Sequence, residues 1–129
     1  MPLYRCAVAE GATSLDQRAQ IAKAITNIHC EITGAPPTFV HAFFNEVAAA
    51  DLPEDKQALV FGSIRAGRTA EQQAQLVSDM ARKIGAVLGC TAEGVLVATV
   101  DVPARWIMEG GAILPEPGEE AAWLAEHGS

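Results

Sequence analysis

A chain of 129 residues has the length of one domain and can bury roughly two thirds of the surface its unfolded form exposes, so it needs no disulfide or metal for stability. Nine basic residues against sixteen acidic ones give a net charge of -7, which argues against a nucleic-acid surface or an anionic-membrane binder and for a small molecule or another copy of the chain as partner. Three cysteines without CxxC spacing, no apolar run near the ~20 residues of a membrane span, and no signal-peptide pattern at the N-terminus point to a reduced, cytoplasmic protein.

The first predicted element is a strand over PLYRCAVA (2–9). It begins with a proline directly behind Met1. If Met1 is removed, Pro2 presents a secondary amine able to exchange a proton near neutral pH; if Met1 stays, the nitrogen is acylated and has no basic lone pair. SLDQ (14–17) then places a hydroxyl at a helix N-cap with a glutamine three residues on, the pattern of a capping box. Ile21, Ile25, Ile28 and Ile32 continue at helical spacing, and Gly34 is a natural left-handed stop. Within this helix His29 lies four residues after Ile25 and three before Ile32, which puts it at the border of the apolar stripe, half buried with one ring nitrogen free.

A second strand is predicted over TFVHAFFNEV (38–47), followed by the polar, proline-bearing link AAADLPEDKQ (48–57) and a third strand over ALVFGSI (58–64). Next comes RAGR (65–68). Arg65 and Arg68 stand just ahead of the Thr69 cap of a second helix, whose free N–H groups and positive dipole end also attract anions, so a carboxylate would be bound well there. TAEQ (69–72) repeats the capping box, Leu76, Met80, Ile84 and Val87 repeat the apolar stripe, Gly89 repeats the stop, and GVLVATVDV (94–102) is a fourth strand. Residues 103–129 form a tail with a short helix expected at Pro103 and a Gly/Pro-rich stretch, available to pack on a neighbouring subunit.

The two halves match at a shift of 55 residues, which pairs Ser14 with Thr69, Gln17 with Gln72, Ile25 with Met80, Gly34 with Gly89 and Val40 with Val95. Each half, about 2–47 and 57–102, reads as strand, long helix, strand. A βαβ unit has parallel strands and a right-handed crossover. The expected fold is therefore α+β, a single domain over 1–129 in which two tandem βαβ units form a four-stranded sheet with both helices on one face. Two open sheet edges and an apolar tail with Trp106 and Trp123 predict a homo-oligomer.

An amino-terminal proline on paired βαβ units resembles the tautomerase superfamily. AKAITNIH (22–29), RAGR (65–68), the VP pair at 102–103 and ME followed by LP within 108–115 resemble, in order and separation, the branch named for cis-3-chloroacrylic acid dehalogenase. The resemblance spans about residues 2–123 and implies a homotrimer. It also implies a cofactor-independent site for a small carboxylate substrate: Pro2, His29 and Glu109 as catalytic residues, and Arg65, Arg68, His29 and Leu114 as substrate contacts. No metal is implied; His41 and His127 have no neighbours at ligand spacing. The branch tyrosine on the last strand is replaced by Ala98, with Thr99 beside it.

An amine beside two arginines loses its proton more easily, because its charged form is repelled. Pro2 is then a general base suited to keto-enol tautomerisation of 2-hydroxy-2-alkenoates, with the arginines holding the carboxylate and the developing enolate charge. Glu109 pulls the other way. Where it dominates, Pro2 stays protonated and donates to a substrate attacked by Glu109-activated water, as in a hydratase or haloacrylate dehalogenase. Absence of the tyrosine tips the expectation towards the isomerase; a non-catalytic oligomeric binding protein is the third alternative.

Overall fold

The computed structural model describes residues 1–127; the last two tail residues, 128–129, lie outside the described residues. Four strands, β1 (Leu3–Ala9), β2 (His41–Val47), β3 (Ala58–Arg65) and β4 (Val95–Val102), form one sheet in the order β2-β1-β3-β4. Helix α1 (Leu15–Thr33) connects β1 to β2, and α2 (Ala70–Leu88) connects β3 to β4. Both connected pairs are parallel, while β1 and β3 meet antiparallel at the centre with Tyr4 opposite Gly62. This is the arrangement of two βαβ units predicted by the repeat.

The local signals act as their chemistry requires. Ser14 and Thr69 each accept from the N–H three residues on, while Gln17 and Gln72 bond back to the cap N–H, completing both capping boxes. Gly34 (φ 77°) and Gly89 (φ 80°) end the helices in the left-handed conformation that glycine adopts without a Cβ penalty. The same glutamines also link the units: Gln72 Nε2 donates to the Ile32 carbonyl at 3.1 Å, and Gln17 Nε2 to the Val87 carbonyl at 3.4 Å. Each helix start thus satisfies carbonyls left open at the other helix's end.

One sheet face is the core. Tyr4, Cys6 and Val8 of β1 and Val60 and Ile64 of β3 are buried under Ile21, Ile25, Leu76, Met80 and Ile84 of the helices. Each fully buried aliphatic side chain of this kind contributes about 1.5–3 kcal/mol relative to exposure. The opposite face is open and apolar: Leu3, Phe43, Phe61, Leu96 and Val100 are each 39–57% exposed. Phe43, Arg5, Phe61 and Ala98 form one row across it by register, with the Arg5 guanidinium 5.8 Å from the Phe61 ring. Ala98 therefore belongs to the open face, away from the helices.

The tail opens with the short helix expected at Pro103 and then forms elements not predicted from the sequence. Its opening is a 3-10 turn at Ala104–Trp106. A hairpin of β5 (Met108–Glu109) and β6 (Ala112–Ile113) follows, turned by Gly110 (φ 60°) and Gly111 (φ 82°), the paired positive φ values of a tight two-residue hairpin. A third helix, α3 (Glu120–His127), ends it. The tail folds back on its own chain, because Trp123 has partners there: its ring meets Phe39 edge-on at 5.6 Å and its indole N–H donates to the Ile113 carbonyl at 2.7 Å. Trp106, Met108 and Ile113 face outward and remain free for a neighbour. No helix among the described residues is long and apolar enough to cross a membrane.

Candidate active site

The antiparallel pairing of β1 with β3 brings the start of β1 beside the end of β3, and the C-terminal end of α1 lies over the same region. That end of the sheet collects Pro2 and Tyr4 from β1, His29 from α1, Arg65 from β3, and Arg68 from the loop before α2. Glu109 and Leu114 reach it from the tail. Pro2 is fully buried and its carbonyl accepts from the His41 N–H at 2.9 Å, fixing the strand start.

With Met1 present the chain's amine belongs to Met1, and it contacts the Glu109 carboxylate directly. Burial and, secondarily, the positive charge of Arg65 lower this amine from 8.0 to about 6. The Glu109 carboxylate favours the charged amine and so opposes that direction. Met1, Leu3, His41, Ile107, Met108 and Glu109 border an open hollow of about 300 Å³ at the surface here.

His29 is 1% exposed, deeper than its place at the border of the apolar stripe predicted. Its Nδ1 lies 2.9 Å from the hydroxyl of Tyr4, itself fully buried, and that polar partner is what makes full burial tolerable. Burial, then the charges of Arg68, Arg65 and the terminal amine, depress the imidazole to about 3, so the ring is neutral near pH 7. Burial holds the Tyr4 phenol well above its ordinary value despite the nearby Arg68, so it remains an O–H donor.

The two arginines differ. Arg65 is buried and held on several sides: Nη1 donates to the Pro115 carbonyl at 2.8 Å, Nη2 to the Glu120 carboxylate at 2.7 Å, and the guanidinium lies 5.3 Å from the centre of the Phe39 ring. Burial pushes Glu120 up, but the Arg65 hydrogen bond and charge, with backbone N–H donors, hold it below its usual value. Arg68 is freer. Its Nη1 donates to the Thr33 carbonyl at 3.1 Å, placing a cation at the C-terminal end of α1, where the helix dipole favours it. Its Nε is sealed from solvent and has no partner, the one such side-chain atom among the described residues. Leu114 is buried and its N–H is taken by the Ile107 carbonyl at 3.0 Å, so it can supply an apolar wall and no backbone donor.

Pro2, His29, Arg65, Arg68, Glu109 and Leu114 thus lie around one end of the sheet. Three participants have no signal in the sequence strong enough to name them. Tyr4 could be suspected as the chain's single tyrosine, alternating with Cys6 and Val8 on the core face. Glu120 is one of sixteen acidic residues with nothing to distinguish it, and Phe39 reads as an ordinary strand aromatic.

Known proteins share this fold. A family model described as "Putative oxalocrotonate tautomerase enzyme" matches residues 1–127. Among solved structures, N1, a member of the cis-3-chloroacrylic acid dehalogenase family, is 33% identical with a TM-score of 0.90, over 96% of this chain and 91% of that one. Native Ps01740 is 38% identical with a TM-score of 0.76, over 84% of this chain and all of that one. A fused 4-OT symmetric trimer is 27% identical with a TM-score of 0.77, over 88% of this chain and 95% of that one. No curated protein matches significantly.

Proposed function

This chain belongs to the tautomerase family matched over residues 1–127, and from that premise we propose that it is a keto-enol tautomerase for small 2-hydroxy-2-alkenoates and 2-oxo acids. Pro2 is the general base once Met1 is removed. The supporting observation is the setting of the terminal amine: burial and Arg65 lower it to about 6, and the Pro2 nitrogen is one residue away. Burial and a neighbouring cation favour the unprotonated form of an amine so placed, which takes the enol proton and returns one to carbon. Arg68 binds the substrate carboxylate, the positive field of both arginines stabilises enolate charge, and His29 supplies a neutral hydrogen-bonding edge.

The test combines an intact-mass spectrum with a ketonisation assay. Purified protein is expected to lack Met1 and to ketonise phenylenolpyruvate or 2-hydroxymuconate. No turnover of either by protein lacking Met1 would sink the proposal and favour a non-catalytic binding protein.

A second reading has its own observation: Glu109 contacts the Met1 amine, so a carboxylate lies near the Pro2 nitrogen, which supports a role for it in activating water. In a hydratase or cis-3-haloacrylate dehalogenase, Pro2 would be the acid and Glu109 the base. Halide release from cis-3-chloroacrylate at a rate comparable to ketonisation would select it. The row containing Ala98 lies on the open sheet face, so a tyrosine there could serve only a site bordering that face.

We further propose a homotrimer whose subunits cover this face. Leu3, Phe43, Phe61 and Leu96 expose apolar side chains on this one sheet face, and the similar fused 4-OT protein is a symmetric trimer. Light scattering at micromolar concentration is expected to give three times the 13.6 kDa chain mass. Phe61→Glu should shift that mass towards the monomer.

A further inference from the structure

We propose that Tyr4 is a positioning residue that fixes His29 as the neutral Nε2–H tautomer, so that His29 presents an N–H donor, rather than a lone pair, to the substrate anion. The inference rests on the tautomerase reading for its substrate and on hydrogen-bond accounting for its chemistry.

Two tautomers of a neutral imidazole are available, and the partner of one nitrogen selects between them. The Tyr4 hydroxyl lies 2.9 Å from His29 Nδ1, its one side-chain partner, and both residues are buried. If Nδ1 carried the proton and donated to the phenol, the phenolic O–H would be left buried without an acceptor, at a cost of about 1–3 kcal/mol. If the phenol donates, Nδ1 is satisfied and the ring proton sits on Nε2. Among the described residues Nε2 has no hydrogen-bond partner, and unlike Arg68 Nε it is not wholly sealed from solvent. Nε2 therefore keeps a small accessible area, although His29 as a whole is 1% exposed. The charged groups facing His29 are Arg68, Arg65 and the terminal amine, all of which disfavour an imidazolium and leave the neutral donor as the working form.

The Tyr4 ring has a place built for it. Gly62 lies opposite Tyr4 in the β1/β3 register, and a Cβ at that position would overlap Cε1 and Cδ1 of the ring. The ring also meets the imidazole edge-on, with centroids 5.7 Å apart. Any larger side chain at 62 would push the phenol away from Nδ1.

The decisive measurement is long-range proton–nitrogen correlation NMR on histidine-labelled protein, with the His29 signals identified by their loss in His29→Gln. Wild type is expected to show the Nε2–H pattern from pH 5 to 8, and Tyr4→Phe to show mixed tautomers. A wild-type Nδ1–H or imidazolium pattern, or an unchanged pattern in Tyr4→Phe, would overturn the proposal whether or not the protein turns over enols. Kinetics give an independent arm. Tyr4→Phe should lower kcat for ketonisation about tenfold, the loss of ~1.4 kcal/mol of transition-state stabilisation, with KM within about twofold. In the His29→Gln background, where the amide keeps an N–H donor but has no tautomer to fix, Tyr4→Phe should have no further effect. Equal losses from Tyr4→Phe in both backgrounds would mark Tyr4 as packing only and overturn the proposal. Absence of all activity with the Nε2–H pattern intact would count against the tautomerase reading and leave the tautomer assignment supported.

Discussion

Pro2→Ala, in protein that has lost Met1, is expected to lower kcat/KM for ketonisation by about 10²–10⁴, the range over which a positioned acid–base group contributes. The wild-type pH profile should carry the same information. If the unprotonated Pro2 amine is the working base, the rate should rise with pH through its midpoint to a plateau, and that midpoint should lie below the ordinary amine value, in the direction that burial and Arg65 impose on the neighbouring Met1 amine. Removing the positive charge with Arg65→Ala should move the midpoint upward, and Glu109→Gln should move it downward while leaving the plateau within about threefold. A hydratase inverts the pattern: activity falls as pH rises through the midpoint, and Glu109→Gln is nearly inactive because nothing remains to activate water. The sign of the slope therefore tells whether Pro2 works as a base or as an acid.

The architecture is legible in the sequence because its determinants are local and repeated. Two capping boxes, two glycine stops and two apolar stripes at a shift of 55 residues specify two helices, and four apolar runs around them specify the strands. Pro2, His29, Arg65 and Arg68 can be named because short motifs mark them. What escapes is everything decided by chain return. The tail's placement depends on a two-glycine hairpin and on where Trp123 finds Phe39, a contact between residues 84 positions apart in the sequence. The burial of His29 depends on Tyr4, 25 residues earlier, because a ring nitrogen is tolerable in the core only when a partner meets it. The division of labour between the arginines depends on Glu120, which no local pattern separates from the other acidic residues.

That division leads to an expected result that equal treatment of the two guanidinium groups does not give. Arg68→Ala should raise KM for carboxylate substrates by about 10- to 150-fold, the ~1.5–3 kcal/mol scale of a charged hydrogen bond, with little change in the unfolding midpoint. Among the described residues the one hydrogen-bond partner of its guanidinium is the Thr33 carbonyl, which lies at a helix end where water can substitute. Arg65→Ala should act on the fold first. Its guanidinium joins β3 to the tail through the Pro115 carbonyl and Glu120, with 1% of its side chain and 13% of Glu120's exposed, so removing it strands a mostly buried carboxylate. Breaking a buried pair from one side costs about 3–5 kcal/mol, and chemical denaturation should register a loss near the lower figure because Glu120 keeps some contact with water. Glu120→Gln separates the effects: it retains an acceptor for Arg65, so the tail should stay docked, while the unneutralised arginine charge should tighten carboxylate binding and lower KM. If Arg65→Ala leaves stability unchanged while Arg68→Ala reduces it, the two roles are reversed, and the carboxylate site must be rebuilt around Arg65.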